Sequence, residues 1–230
     1  MGKLIVAFDV DGNLVRSVDA YQEVFSEVAG NYGVPKERHY GHLIRTTGDP
    51  IEKQFGAVMD LPCEHPQVLE AVAGWRRMAY SPDKIAPLYG DVLPCFEALK
   101  TAGYRLCATS SMKQDHLERT ARAHGFGQWL SFWLGTDDRL IDKSHHKPMI
   151  IGRFGITPAE FEGCSYLSGD GKVDMRIAKR WGSRGVFTVR RGYEGKSSEE
   201  VLGLLGEEGY EAFAVVKSLT ELPDVIFSDS

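Results

Sequence analysis

Six short apolar runs punctuate the chain: 3–8 (KLIVAF), 104–108 (YRLCA), 131–134 (SFWL), 164–168 (CSYLS), 185–189 (GVFTV) and 212–216 (AFAVV). Runs of this length, rich in β-branched and aromatic residues, predict buried strands. Between them the apolar positions move to helical spacing. Residues 91–102 put Val92, Leu93, Phe96 and Leu99 on one face, with Gly103 as the helix stop. Helices are also predicted over 114–124, 174–181 and 197–205, the first two closed by Gly125 and Gly182 and the third carrying Val201, Leu202 and Leu205. Thr157-Pro158-Ala159-Glu160 reads as a capping box with Pro in the first turn. Strands alternating with helices predict an α/β core, a parallel sheet with helices on both faces.

The rhythm breaks between residues 15 and 86, where no strand run occurs. Val18, Tyr21, Val24, Phe25 and Val28 repeat at helical spacing up to Gly33-Val34-Pro35. Further helical stretches fit 36–45, 50–58 and 66–80, and Pro82 and Pro87 flank the return. The expected organisation is a core of residues 1–14 and 87–230, with a small helical domain, 15–86, inserted after the first strand.

Composition narrows the classes. Hydrophobic residues make up 43% and charged residues 26% of 230, which excludes global disorder. The 27 Lys and Arg against 32 Asp and Glu leave a net charge of −5, unlike a basic nucleic-acid-binding footprint. No apolar run is long enough to span a bilayer. MGKLIVAFDVDGN is too short for a secretory apolar region with a cleavage site. Four scattered cysteines without a C-x-x-C fit reduced thiols in a cytoplasmic protein. A monomer or homodimer with no nucleic-acid or membrane partner is expected.

Ligands of open α/β sheets bind beyond the carboxyl ends of the strands. The first predicted strand runs into Asp9-Val10-Asp11-Gly12-Asn13, the second into Thr109-Ser110-Ser111, and the fourth into Gly169-Asp170-Gly171-Lys172-Val173-Asp174; His146-Lys147-Pro148 precedes the fourth. Such carboxylates repel one another unless a cation sits among them. A few carboxylates suit Mg²⁺, which takes its remaining ligands from water and substrate phosphate. The hydroxyls and the lysine supply donors for an anion, so the set describes a phosphoryl-transfer site. Taken singly, an Asp pair is also ordinary turn chemistry, Thr-Ser-Ser an N-cap and Lys-Pro a surface dipeptide. Their conjunction at successive strand ends favours the functional reading.

Competing motifs fail on spacing. Asp9-x-Asp11-x-Asn13 begins like a calcium loop, but its sixth and twelfth positions are Leu14 and Ala20 instead of Gly and Glu. Gly195-Lys196-Ser197 resembles the end of a P-loop, but the Gly needed five residues before is Arg190. No G-x-G-x-x-G opens a helix. The side chains of His145 and His146 diverge and lack a partner at zinc spacing, and Asp137-Asp138 reads as a solvated loop.

The ordered set Asp9-x-Asp11-Gly12, Thr109, Lys147-Pro148 and Gly169-Asp170-x-x-x-Asp174 resembles the four motifs of the haloacid dehalogenase superfamily. PLYGDVLPCFEALKTAGYRLCATSS, Gly192-Tyr193 and the terminal SLTELPDVI extend the likeness over nearly the whole chain, nearest to the phosphoglycolate-phosphatase-like branch. The resemblance implies a Rossmann-like core and a helical cap of the C1 type. It implies Asp9 as a nucleophile that becomes an aspartyl-phosphate and Asp11 as general acid and base. Mg²⁺ would be held by Asp9, the Asp11 backbone carbonyl and Asp170, with Asp174 a further ligand or a residue that orients them. Phosphate would be held by Thr109, Ser110 and Lys147. Lys143 is a rival for the lysine role; Pro148 fits the family pattern better after Lys147. Asn13 departs from the family's usual Thr.

The expected function is Mg²⁺-dependent hydrolysis of a small phosphorylated metabolite. A phosphosugar mutase shares every residue above. Haloacid chemistry fits poorly because the dehalogenases lack the second Asp, and a phosphonatase needs a cap lysine where only Lys36 and Lys53 are near. Outside catalysis the rival is a regulatory small-molecule-binding module that keeps a worn site. In the cap, Arg45-Thr46-Thr47-Gly48 joins two predicted helices, and Arg45 is expected to meet a second anion on the substrate, with Arg76 and Arg77 as its alternatives.

Overall fold

The computed structural model describes residues 4–46, 49–81, 84–137, 143–193 and 195–229. Lys3, Thr47, Gly48, Pro82 and Asp138, named above, lie outside them. The chain divides into two units, Met1–Val15 with Leu88–Ser230, and Arg16–Pro87.

The first unit is a six-stranded parallel sheet. Its strands are β1 (Ile5–Phe8), β2 (Arg105–Lys113), β3 (Trp133–Thr136), β4 (Ser165–Gly169), β5 (Arg184–Thr188) and β6 (Ala214–Val216), in the order β3-β2-β1-β4-β5-β6. All six apolar runs become strands. Every residue of β1 is buried, as a strand covered on both faces requires. The order reverses across β1 and β4, which is where such sheets open a ligand crevice.

The second unit contains α1 (Val18–Asn31), α2 (Lys36–His39), α3 (His42–Arg45), α4 (Ile51–Met59) and α5 (Pro66–Ala79). Its core includes Phe25, Val28, Phe55, Val68, Val72 and Trp75; the Phe25 and Phe55 rings lie 4.4 Å apart. The single helix predicted over 36–45 is two short ones. Gly41 lies between them at φ +69°, a left-handed conformation that ends one helix turn before the next begins.

The sheet unit continues with α6 (Val92–Thr101), α7 (Gln114–Ala123), α8 (Lys147–Phe154), α9 (Pro158–Cys164), α10 (Lys172–Trp181), α11 (Ser198–Glu207) and α12 (Leu222–Ser228). Ile5 and Ala7 of β1 share a core cluster with Ile150 of α8, Phe161 of α9 and Trp181 of α10. Phe8 meets Phe96 of α6 edge-on at 5.0 Å on the opposite face. On α6 the buried stripe is Val92, Cys95, Phe96 and Leu99, and Leu93 is 40% exposed. Positions i, i+3, i+4 and i+7 thus face the sheet, with Cys95 in the place expected for Leu93. Thr157 and Glu160 form the expected capping box on α9. The four cysteines are free, and burial pushes the Cys95 thiol up to about 12. No helix among the described residues is long and apolar enough to cross a membrane.

One largely buried ion pair braces the loop after β1. Arg190 grips Asp91 with two parallel bonds, Nη1–Oδ2 at 2.8 Å and Nη2–Oδ1 at 3.0 Å. The same guanidinium donates to the Asn13 carbonyl at 2.8 and 3.1 Å and lies 3.9 Å from the Tyr89 ring centroid. Asp91 also accepts from the Leu219 amide and the Ser218 hydroxyl. Burial alone would raise the Asp91 carboxyl, but Arg190 and the Leu219 amide overcome it and hold the group below its usual range. Removing one partner of a buried pair strands the other. Arg190→Ala is therefore expected to cost about 2–3 kcal/mol in urea unfolding, because Asp91 keeps the Leu219 amide and the Ser218 hydroxyl. A loss below about 1 kcal/mol would mean that the pair is no brace. Because the folded pKa is depressed, Asp91's contribution is full above the unfolded value and is lost as pH falls through the folded one.

Candidate active site

The site is assembled at the carboxyl ends of β1, β2 and β4. Phe8 is in register with both Ala108 and Ser168, so Asp9, Thr109 and Gly169 follow at one level. The loop after β1 closes tightly: Leu14 and Val15 amides donate to the Val10 carbonyl, and the Gly12 amide donates to the Val15 carbonyl. Gly12 sits at φ +82°, and a Cβ there would stand 2.9 Å from the Asp170 carboxyl carbon. The turn thus needs Gly both for its backbone and for the approach of Asp170. A side chain at Gly169 would likewise run into the Asp174 carboxylate.

Carboxylate oxygens of Asp9, Asp170 and Asp174 lie within 4.8 Å of one another. Asp174 occupies the first turn of α10, where its Oδ2 accepts the Gly171 amide at 3.0 Å. Negative charge at a helix N-terminus is favourable. Asp170 Oδ1 is buried and accepts no hydrogen bond among the described residues. Burial raises the Asp9 carboxyl well above its usual range, with Asp174 and Asp170 adding to the effect and Lys143 opposing it. Burial, then Asp174, pushes Asp170 up to about 7. Three carboxylates that converge in this way, one with a buried oxygen that accepts no hydrogen bond among the described residues and two held up by burial and mutual repulsion, fit a divalent cation of the Mg²⁺ type.

The lysine at the carboxylates is Lys143. Its Nζ pairs with both Asp9 and Asp174, and it is 2% exposed. Burial alone would lower its pKa, but Asp174 and Asp9 raise it further than burial lowers it, so it stays charged. Lys147, expected in this place, instead bonds Glu162 at 2.6 Å and lies 5.8 Å from the Phe161 ring centroid. The cause is local. Residues 143–146 form a 3₁₀ turn, whereas Lys147 already belongs to α8, whose first turn holds Pro148. Proline belongs in the first turn of a helix. It therefore marks Lys147 as helical and leaves the earlier lysine on the segment that meets the strand ends.

The other expected residues divide. Ser110 Oγ donates to Asp11 Oδ2 at 3.2 Å and accepts the Met112 amide at 2.9 Å. The Asp11 side chain is outside the cluster of three carboxylates. Thr109 Oγ1 meets His146 Nδ1 at 2.7 Å, with both residues fully buried. Asn13, also buried, donates through Nδ2 to the Asp9 and Ser168 carbonyls, both at 3.2 Å, and so ties the end of β1 to β4. β2 runs past its expected end at residue 108 to Lys113, through an irregular register with β3. Gly135 permits this: a Cβ there would lie 2.7 Å from the Met112 carbonyl oxygen. Arg45 ends α3 in the helical unit, where its Nη1 donates to the Tyr40 carbonyl at 3.4 Å. In the same unit Arg76 is paired with Glu52 at 2.6 Å.

The family model described as haloacid dehalogenase-like hydrolase matches residues 6–187. The chain belongs to this family. This haloacid dehalogenase-like hydrolase is 27% identical over 190 residues to a probable phosphatase of Dickeya dadantii (strain 3937), covering 80% of each chain. It is 26% identical over 205 residues to the phosphoglycolate phosphatase of Haemophilus influenzae (strain 86-028NP), covering 82% of this chain and 86% of that one. The fold is shared with a haloacid dehalogenase-like family hydrolase from Streptococcus pneumoniae. That match has a TM-score of 0.71 at 19% identity, over 96% of both chains.

Proposed function

We propose that the chain is a Mg²⁺-dependent phosphatase that hydrolyses a small phosphorylated metabolite through an aspartyl-phosphate on Asp9. The observation that carries the reading is the buried Lys143 ammonium paired with Asp9 beside Asp170 and Asp174. The phosphatase names of the two relatives support it.

Asp9, Asp170 and Asp174 would hold the cation, which when bound supplies positive charge to the phosphate oxygens and to the nucleophile. An Asp9 carboxylate oxygen attacks phosphorus, and the bond to the ester oxygen breaks. Asp11, as the acid, gives its proton to that leaving oxygen. Ionised, Asp11 then takes a proton from a water that attacks the same phosphorus. The Asp9–phosphorus bond breaks, inorganic phosphate leaves, and both aspartates return to their starting states. Lys143 stays protonated throughout and offsets charge on the transferring group. Thr109 and Ser110 orient it.

Hydrolysis of an aryl phosphate is expected to require Mg²⁺ and to stop in excess EDTA, and Mg²⁺ should raise the melting temperature. Full activity surviving EDTA would overturn the metal assignment. Release of inorganic phosphate, as opposed to its return to a second hydroxyl of the substrate, separates a phosphatase from a mutase.

A further inference from the structure

We propose that His146 is a positioning residue, which donates from Nδ1–H to the Thr109 hydroxyl and so aims that hydroxyl's own hydrogen at a phosphate oxygen. The inference deepens the phosphatase reading and rests on it for the identity of the anion.

Lys143 and His146 are the first and last residues of one 3₁₀ turn. Residues three apart in such a turn eclipse one another, so both side chains leave on the same side. Lys143 arrives at Asp9 and Asp174, and His146 arrives at Thr109. The turn is held against the sheet unit: the Trp181 indole on α10 donates to the Ser144 carbonyl at 2.9 Å, and the segment packs on β2, β3 and α10. One short segment therefore delivers a cation to the nucleophile and an imidazole to the hydroxyl beside it.

The chemistry then selects a tautomer. A threonine hydroxyl has one hydrogen to give and two lone-pair positions. A phosphate ester oxygen only accepts. Were Thr109 to give its hydrogen to His146, it would face the phosphate with lone pairs alone. With the imidazole proton on Nδ1, the hydroxyl accepts from the ring and keeps its hydrogen for the ligand. Which ring nitrogen is protonated depends on the partners each one meets, and a phosphate at Thr109 favours Nδ1. A histidine that only filled space would leave phosphate affinity untouched once the fold survived.

The test uses the full chain with Mg²⁺, inorganic phosphate titrated by calorimetry, and aryl phosphate kinetics. An Asn side chain puts its amide where Nδ1 stands, whereas Gln puts it where Nε2 stands. His146→Gln and His146→Leu are each expected to weaken phosphate binding about tenfold and to lower kcat/KM at least as much, about 1.4 kcal/mol. His146→Asn should stay within about threefold of the parent. In a Thr109→Val background the same three changes should alter phosphate affinity by less than about twofold, because the hydroxyl they act through is gone. Equal losses for Asn and Gln, or losses as large without the hydroxyl as with it, would overturn the proposal, as would a parent that binds no phosphate. A parent that binds phosphate with this dependence but turns over no ester would overturn the phosphatase reading and leave the positioning role standing.

Discussion

Asp9→Asn is expected to reduce turnover of any phosphate ester by more than about a hundredfold while the fold persists, a barrier increase above ~2.7 kcal/mol. The amide is nearly isosteric with the carboxylate but cannot form an acyl phosphate. The fold should tolerate it for a reason specific to this site. The Asp9 carboxyl is buried, its pKa raised by that burial and by Asp174 and Asp170. A neutral amide removes one charge from a crowded group of three carboxylates, and Lys143 keeps Asp174 as its partner, so the metal-free melting temperature should hold or rise. The lost activity is then not unfolding. In the parent, mass spectrometry after an acid quench should find a phosphoryl group on the peptide containing Asp9. Residual turnover above about one hundredth of the parent, or a phosphoryl group elsewhere, would sink the nucleophile assignment.

Much of this was legible in the sequence, because the strands of a doubly covered sheet are written as short uninterrupted apolar runs. All six became strands, and the carboxylates at the ends of two of them converge. What the pattern missed has identifiable causes. Leu93 and Cys95 changed places because hydrophobicity alone ranks leucine first, while helix geometry selects positions 92, 95, 96 and 99. The helix expected over 36–45 broke at Gly41, whose positive φ no periodicity reveals. Local sequence offers His146 only as a metal-ligand candidate, because its contact is a hydroxyl from a strand 37 positions away in sequence. Asn13 stands where the resemblance expects Thr, and its buried amide ties two strand ends, a role visible only once β1 and β4 are neighbours.

The choice between the two lysines gives the second large expected effect. Lys143→Ala should lower kcat at least about a hundredfold, the scale of losing one key electrostatic group. It should also destabilise the metal-free protein, because it leaves Asp9 and Asp174 buried without their cation. Saturating Mg²⁺ should recover a larger share of the melting temperature than it adds to the parent, since the ion then neutralises charge that Lys143 no longer does. It should not recover kcat, because the ammonium group is still missing. Lys143→Met, which fills the same volume, separates the charge from the cavity. Lys147→Ala should leave kcat within about threefold and stability within about 1 kcal/mol, because its Glu162 partner is half exposed and such pairs contribute little. The family resemblance favours Lys147 through Pro148, and the 3₁₀ turn that carries Lys143 to the carboxylates argues the opposite. A hundredfold loss in Lys147→Ala with Lys143→Ala near parental activity would show that α8 rearranges to bring Lys147 onto the phosphate, and would remove Lys143 from the mechanism.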